Sequence, residues 1–247
     1  MRLCAVALFG ALLSVPVAAQ GATSDEIRFN AVFPAFASGE EAVAALEADP
    51  EGRDTCLKAG NYYWMLGTAE RTPAASKRAF CRKAADILER AWKKDKRDDE
   101  ICLSLGYAYT GMAGATPMSE LESLLASINK AQNLWGMVVA RLPRNIDARL
   151  ARTLINMNLT PQNGRLDALI LEDAAVFFAG YSALGEELRK HPYYYMASME
   201  MRLAKALVLH DQGKKAEARD LVKAIDASVL ARQFLKLLEP LEKAYGR

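Results

Sequence analysis

A chain of 247 residues with 51% hydrophobic and 25% charged residues has ordinary globular composition, which argues against disorder. Its 32 Lys and Arg against 30 Asp and Glu give a net charge of +2 and no basic footprint for nucleic acid; two histidines leave little for a His-rich metal site. At ~150 residues per domain, the length suits one large domain or one repeat array.

Met1 and Arg2 form a minimal positive end, followed by an apolar run from Leu3 to Val15, then Pro16 and the small residues Val17, Ala18 and Ala19. Spanning a bilayer takes ~20 apolar residues, and the run is shorter. Val17 and Ala19 fit the minus-three and minus-one places of a signal-peptidase site, so residues 1–19 are expected to be a cleaved signal peptide. The expected location is periplasmic or secreted, with residues 20–247 as a single helical domain. The later apolar stretch from Leu166 is broken by Asp167, Glu172 and Asp173, so no transmembrane segment is expected after cleavage.

The remaining segments read as helices joined by punctuation. Ser38 and Glu41 open a helix that is expected to carry Val43 and Leu46 inward. Ala79 to Trp92 places Phe80, Ala84, Ile87, Leu88 and Ala91 on one face. Leu121 to Leu142 repeats the pattern through Leu124, Ile128, Ala131, Leu134, Trp135 and Val138. Ser119 with Glu122 is a capping-box start for this helix, and Thr116-Pro117 is a competing one. Thr72-Pro73, Thr160-Pro161 and His191-Pro192 each place a proline where a helix begins or a loop turns. A last stripe runs through Val229, Leu230, Phe234, Leu235, Leu238 and Leu241, with Pro240 near its end. No strand-like alternation appears, so the expected class is all-α.

An internal repeat supports this reading. An offset of 47 residues lays Leu103 on Leu150, Ala84 on Ala131, Ile87 on Leu134, Leu88 on Trp135, Ala91 on Val138 and Tyr107 on Leu154. Leu105, Gly106 and Tyr109, then Ala131, Trp135 and Pro143, and later Gly213, Ala218 and Val222, resemble the tetratricopeptide repeat pattern over about half the chain. The departures are Arg152 and Thr153 in place of Leu-Gly, Lys96 in place of a proline, and a period longer than the family's ~34 residues. The resemblance implies a right-handed α-solenoid of helical hairpins with degenerate repeats, enlarged loops and a C-terminal capping helix. A helical bundle whose segments share only amphipathic periodicity is the alternative.

Cys56, Cys81 and Cys102 would remain after cleavage, an odd number for an oxidising compartment. If successive first helices of the repeats pack side by side, Cys56 and Cys102 could form a disulfide, leaving Cys81 as a small buried hydrophobe. Three packed thiols is the other arrangement.

Signals for chemistry are weak. His191, before Pro192 and three tyrosines, reads as the end of a loop, and adjacent Glu172 and Asp173 diverge by ~100° on a helix. No nucleophile elbow, zincin or phosphate-loop motif occurs, so neither catalytic residues, metal ligands nor cofactor are expected. The resemblance implies a concave face lined by the first helices. On them Asn61, Tyr62, Tyr107, Arg149, Arg152 and Asn156 are the candidate binding residues, the last three sharing one helical face. The expected activity is that of an exported, non-enzymatic binding or scaffolding protein holding a partner protein or peptide of the cell envelope. The alternative is a periplasmic small-ligand-binding accessory subunit for solute uptake.

Overall fold

The structure is a computed structural model that describes residues 33–69, 71–159 and 164–246. The expected signal peptide and the Thr160-Pro161 break lie outside these residues. Among the described residues every regular element is helical, as the periodicity predicts, and no strand occurs. The described residues form two compact units, residues 33–141 and 142–246. Each has its own buried core, built around Leu88, Leu105 and Trp135 in the first and Leu150, Phe177 and Phe234 in the second.

The first unit contains α1 (Gly39–Ala48), α2 (Arg53–Thr68), α3 (Ala74–Lys94), α4 (Asp99–Gly114) and α5 (Leu121–Arg141). The Ser38 hydroxyl accepts from the Glu41 N–H, and the Glu41 carboxylate accepts from the Ala37 N–H, which fixes the start of α1. Val43 does not turn inward as expected: it is 41% exposed, because α1 sets its small Ala42 against the core. The Ser119–Glu122 start is also displaced. Pro117, with φ fixed at −59°, leads a 3₁₀ turn over Met118–Glu120, and α5 begins after it.

Two close approaches hold the hairpins together. A Cβ on Gly60 would stand 2.4 Å from Leu88, and one on Gly106 would stand 2.3 Å from the Trp135 indole nitrogen. Glycine therefore lets a bulky side chain of the second helix rest on the backbone of the first. The pairs α2–α3 and α4–α5 pack tightly, and α4 also packs on both α3 and α2.

The second unit contains α6 (Ile146–Leu159), α7 (Gly164–Ala183), the short α8 (Glu186–Lys190), α9 (Pro192–Asp211), α10 (Lys215–Lys223) and α11 (Arg232–Tyr245). Here α6 pairs with α7 and α9 with α10, and α9 also packs on both α7 and α6. Gly213, at φ +76°, makes the left-handed turn between α9 and α10. Phe234, Leu238 and Leu241 of α11 are buried, whereas Leu235 of the expected stripe points away at 37% exposure.

The first helices keep one register. Their starts at Arg53, Asp99, Ile146 and Pro192 are 46, 47 and 46 residues apart. Asp98, Asn145 and His191 cap the last three through side-chain acceptors for the N–H groups of Ile101, Ala148 and Tyr193. His191 is thus a helix cap, consistent with its place at a loop end. The side chains of Cys56, Cys102 and Arg149, in equivalent places, donate to the carbonyls of Pro50, Lys96 and Pro143, each six residues back. Gly60 and Gly106 correspond in this register to Thr153, which is fully buried. In the first unit the second helices follow the same spacing: α3 and α5 both have 21 residues, and α1 ends 46 residues before α3 does but has only 10.

Candidate functional site

The first-helix residues expected to face a partner are largely engaged within the chain. Asn61 is buried and its amide donates to the Pro34 carbonyl at 3.0 Å. Phe33 packs edge-on against Trp64 and Tyr107, with ring centroids 5.7 and 5.1 Å apart, and Tyr107 also meets Trp135 at 5.2 Å. The segment from Phe33 to Phe36 therefore lies across Asn61 and Tyr107, with the Lys58 ammonium 5.9 Å from the Phe36 ring. A short polar and aromatic face on α2 and α4 is occupied by the chain itself.

In the second unit, the candidate binding residues Arg149 and Asn156 are buried and Arg152 is half-buried. Arg149 is 4% exposed, Asn156 is buried, and both arginines grip Asp173 of α7, whose exposure is 0%. One Arg149 nitrogen stands 2.6 Å from both Asp173 and Glu172. The two acids, which diverge on their helix, are brought together by this guanidinium. Arg149 also holds the Glu172 carboxyl below its usual range through that hydrogen bond, against a smaller opposing effect of burial. The driving feature is Asp173: a fully buried carboxylate on an apolar helix needs its charge matched, and the arginines supply it.

The three cysteines are buried free thiols. Cys56 and Cys102 each donate to a carbonyl of their own preceding loop, so the bridge considered from their register is not made. Burial raises both, and it pushes the Cys81 thiol up to about 12. Such thiols are poor nucleophiles and poor metal ligands. Among the described residues no group of His, Cys, Asp and Glu is arranged to hold a metal ion, and no helix is long and apolar enough to cross a membrane.

The open feature lies elsewhere. A cleft of about 850 Å³ runs between α1, α2 and α3. Its apolar wall comes from Val43, Tyr62, Tyr63, Leu66 and Phe80, and its charged lining residues, Glu40 and Glu47, are both acidic. Tyr62 is the one expected binding residue found here, with its hydroxyl 3.1 Å from where a Cβ on Gly39 would be. Tyr63 stacks on Phe80 at 6.4 Å, and its hydroxyl accepts from Lys83 at 2.8 Å while the Lys83 ammonium lies 4.0 Å from the ring centroid. Sequence reasoning read Val43 and Phe80 as core and did not single out Leu66. The available signal was the Ser38–Glu41 start itself, which begins α1 far later than the register of α3 and α5 requires.

The region opposite Tyr109 in the next pair is closed. Glu89 accepts from the Tyr109 hydroxyl, Lys130 donates to the same oxygen at 3.1 Å, and Lys130 and Glu89 are 3.8 Å apart. Burial, then the Glu89 hydrogen bond, raise the Tyr109 phenol well above its ordinary value. No protein-family model matches this chain, and no curated protein matches it significantly.

Proposed function

We propose that this chain is an exported, non-enzymatic binding module that holds a segment of a partner protein in the cleft between α1, α2 and α3. The observation that carries this reading is the cleft itself, open and walled by aromatic and aliphatic side chains. Tyrosine and other aromatic side chains in such a place offer large contact area at low entropy cost. An enclosed cavity would suit a small solute; an open one favours a protein segment.

The architecture we infer is a right-handed solenoid of tetratricopeptide-like hairpins capped by α11. The register of 46 and 47 residues supports it, as does the recurrence in which a first helix packs on both helices of the pair before it. Export rests on the signal-peptide pattern of residues 1–19.

Affinity purification from the native envelope, with the parent chain and Tyr62→Ala side by side, tests the function. A partner that co-purifies with the parent and is lost from a Tyr62→Ala protein of similar melting temperature supports it. Equal recovery with both would place binding elsewhere. An intact mass for the exported protein that still includes Met1 would refute cleavage after Ala19.

A further inference from the structure

The cleft exists because one second helix is cut short. α3 and α5 each have 21 residues, whereas α1 has 10 and starts at the place equivalent to Ala85 of α3. The described residues 33–38, at the places equivalent to 79–84 of α3, are not helical. In α3 the corresponding turns cover α4, with Cys81 seated where a Cβ on Gly111 would come within 2.6 Å. Residues 33–38 form no such turns, and Leu66 and Phe80 line an open cleft.

A second difference keeps it open. Val43 occupies the place that Glu89 holds one repeat later. Glu89 reaches Tyr109 and Lys130 and so ties α3 to α5 across the tyrosine. Val43 offers Tyr63 and Lys83 no such tie, and it remains 41% exposed beside Glu40 and Glu47. α1 carries no basic residue at all.

Resting on the function proposed above, we infer that the cleft accepts a partner's amphipathic helix with Lys or Arg flanking its apolar face. The apolar face would seat against Val43, Leu66 and Phe80. The basic flank would meet Glu40 and Glu47, whose charges are unlike those of any other residue lining the cleft.

The test uses the full exported protein and two labelled synthetic peptides of about a dozen residues, with Leu at the i, i+3, i+4 and i+7 places. One carries Lys at the remaining positions and the other Glu. Fluorescence anisotropy should show the Lys peptide binding at least about tenfold more tightly than the Glu peptide, an effect equivalent to ~1.4 kcal/mol. Val43→Glu should then weaken the Lys peptide by a similar factor, because it restores the side chain that closes the next groove. The sign is diagnostic: general attraction to a basic peptide would strengthen when a negative charge is added.

Equal affinity for both peptides, or tighter Lys-peptide binding by Val43→Glu, overturns the inference. So does a homodimer in sedimentation that Val43→Glu dissolves, since the occupant would then be a second copy. A partner lost on Tyr62→Ala but indifferent to peptide charge would leave the binding function standing and remove only this account of its partner.

Discussion

Replacing Trp135 by Ala probes the packing rule that relates the two hairpins of the first unit. The indole is 2% exposed, its nitrogen donates to the Leu103 carbonyl at 3.2 Å, and its ring meets Tyr107 at 5.2 Å. Truncation removes this buried area and leaves a cavity over Gly106, a loss of about 3–5 kcal/mol. At ~2–4 °C per kcal/mol for a chain of this size, the melting temperature should fall by roughly 6–20 °C. The more exacting measurement is a double-mutant cycle with Gly106→Ala. In the parent, the added methyl would lie 2.3 Å from the indole nitrogen, so Gly106→Ala should destabilise by about 1–3 kcal/mol through overpacking. In the Trp135→Ala background that conflict is gone, and alanine should stabilise the helix by ~0.5–1 kcal/mol over glycine. Urea unfolding followed by far-UV circular dichroism reads all four proteins. A Trp135→Ala variant that melts within a degree or two of the parent, or effects that add to within about 0.5 kcal/mol, would refute the stacking of Trp135 on Gly106.

Arg149→Gln should destabilise the second unit by about 3–5 kcal/mol, since it leaves Asp173 buried with its charge only partly matched; a melting temperature unchanged within error would show that the pair is unimportant for folding. Asp98 gives a pH dependence with a definite sign. Burial pushes its carboxyl up, but the Arg53 guanidinium and the Ile101 N–H outweigh it and hold the carboxyl below its ordinary value. Its contribution is therefore complete above the unfolded value near ~3.9 and is lost as pH falls through the lower folded one. Asp98→Asn, which keeps the cap acceptor, should flatten the decline in urea midpoint below about pH 4, and an unchanged acid limb would refute the assignment. Cys56, Cys81 and Cys102 should resist a thiol reagent in the native protein and react together on unfolding, because all three are buried. Peptide mapping that finds Cys56 joined to Cys102 would contradict this.

What could be read in the sequence was whatever depends on local spacing. The three-and-four periodicity of Leu121 to Leu142 and of Ala79 to Trp92 specifies helices wherever they later pack, and α5 and α3 lie over those residues. The proline starts before α3 and α9 are equally local, since a fixed φ and a missing N–H act within one turn. The offset of 47 residues placed Leu88 and Trp135 in equivalent surroundings, and both are buried over a glycine. Which face each helix would leave open was beyond reach of spacing. Arg149 and Arg152 share a face by periodicity alone, yet whether that face meets water depends on Asp173, 24 and 21 residues further along the chain. Asn61 and Tyr107 look equally available until the Phe33–Phe36 segment is laid over them. Val43 reads as a core residue because an apolar side chain has no sequence mark for the absence of a neighbour; only the shortness of α1 against α3 leaves it beside a cleft. Periodicity fixes direction around a helix axis, and tertiary contact decides what stands in that direction.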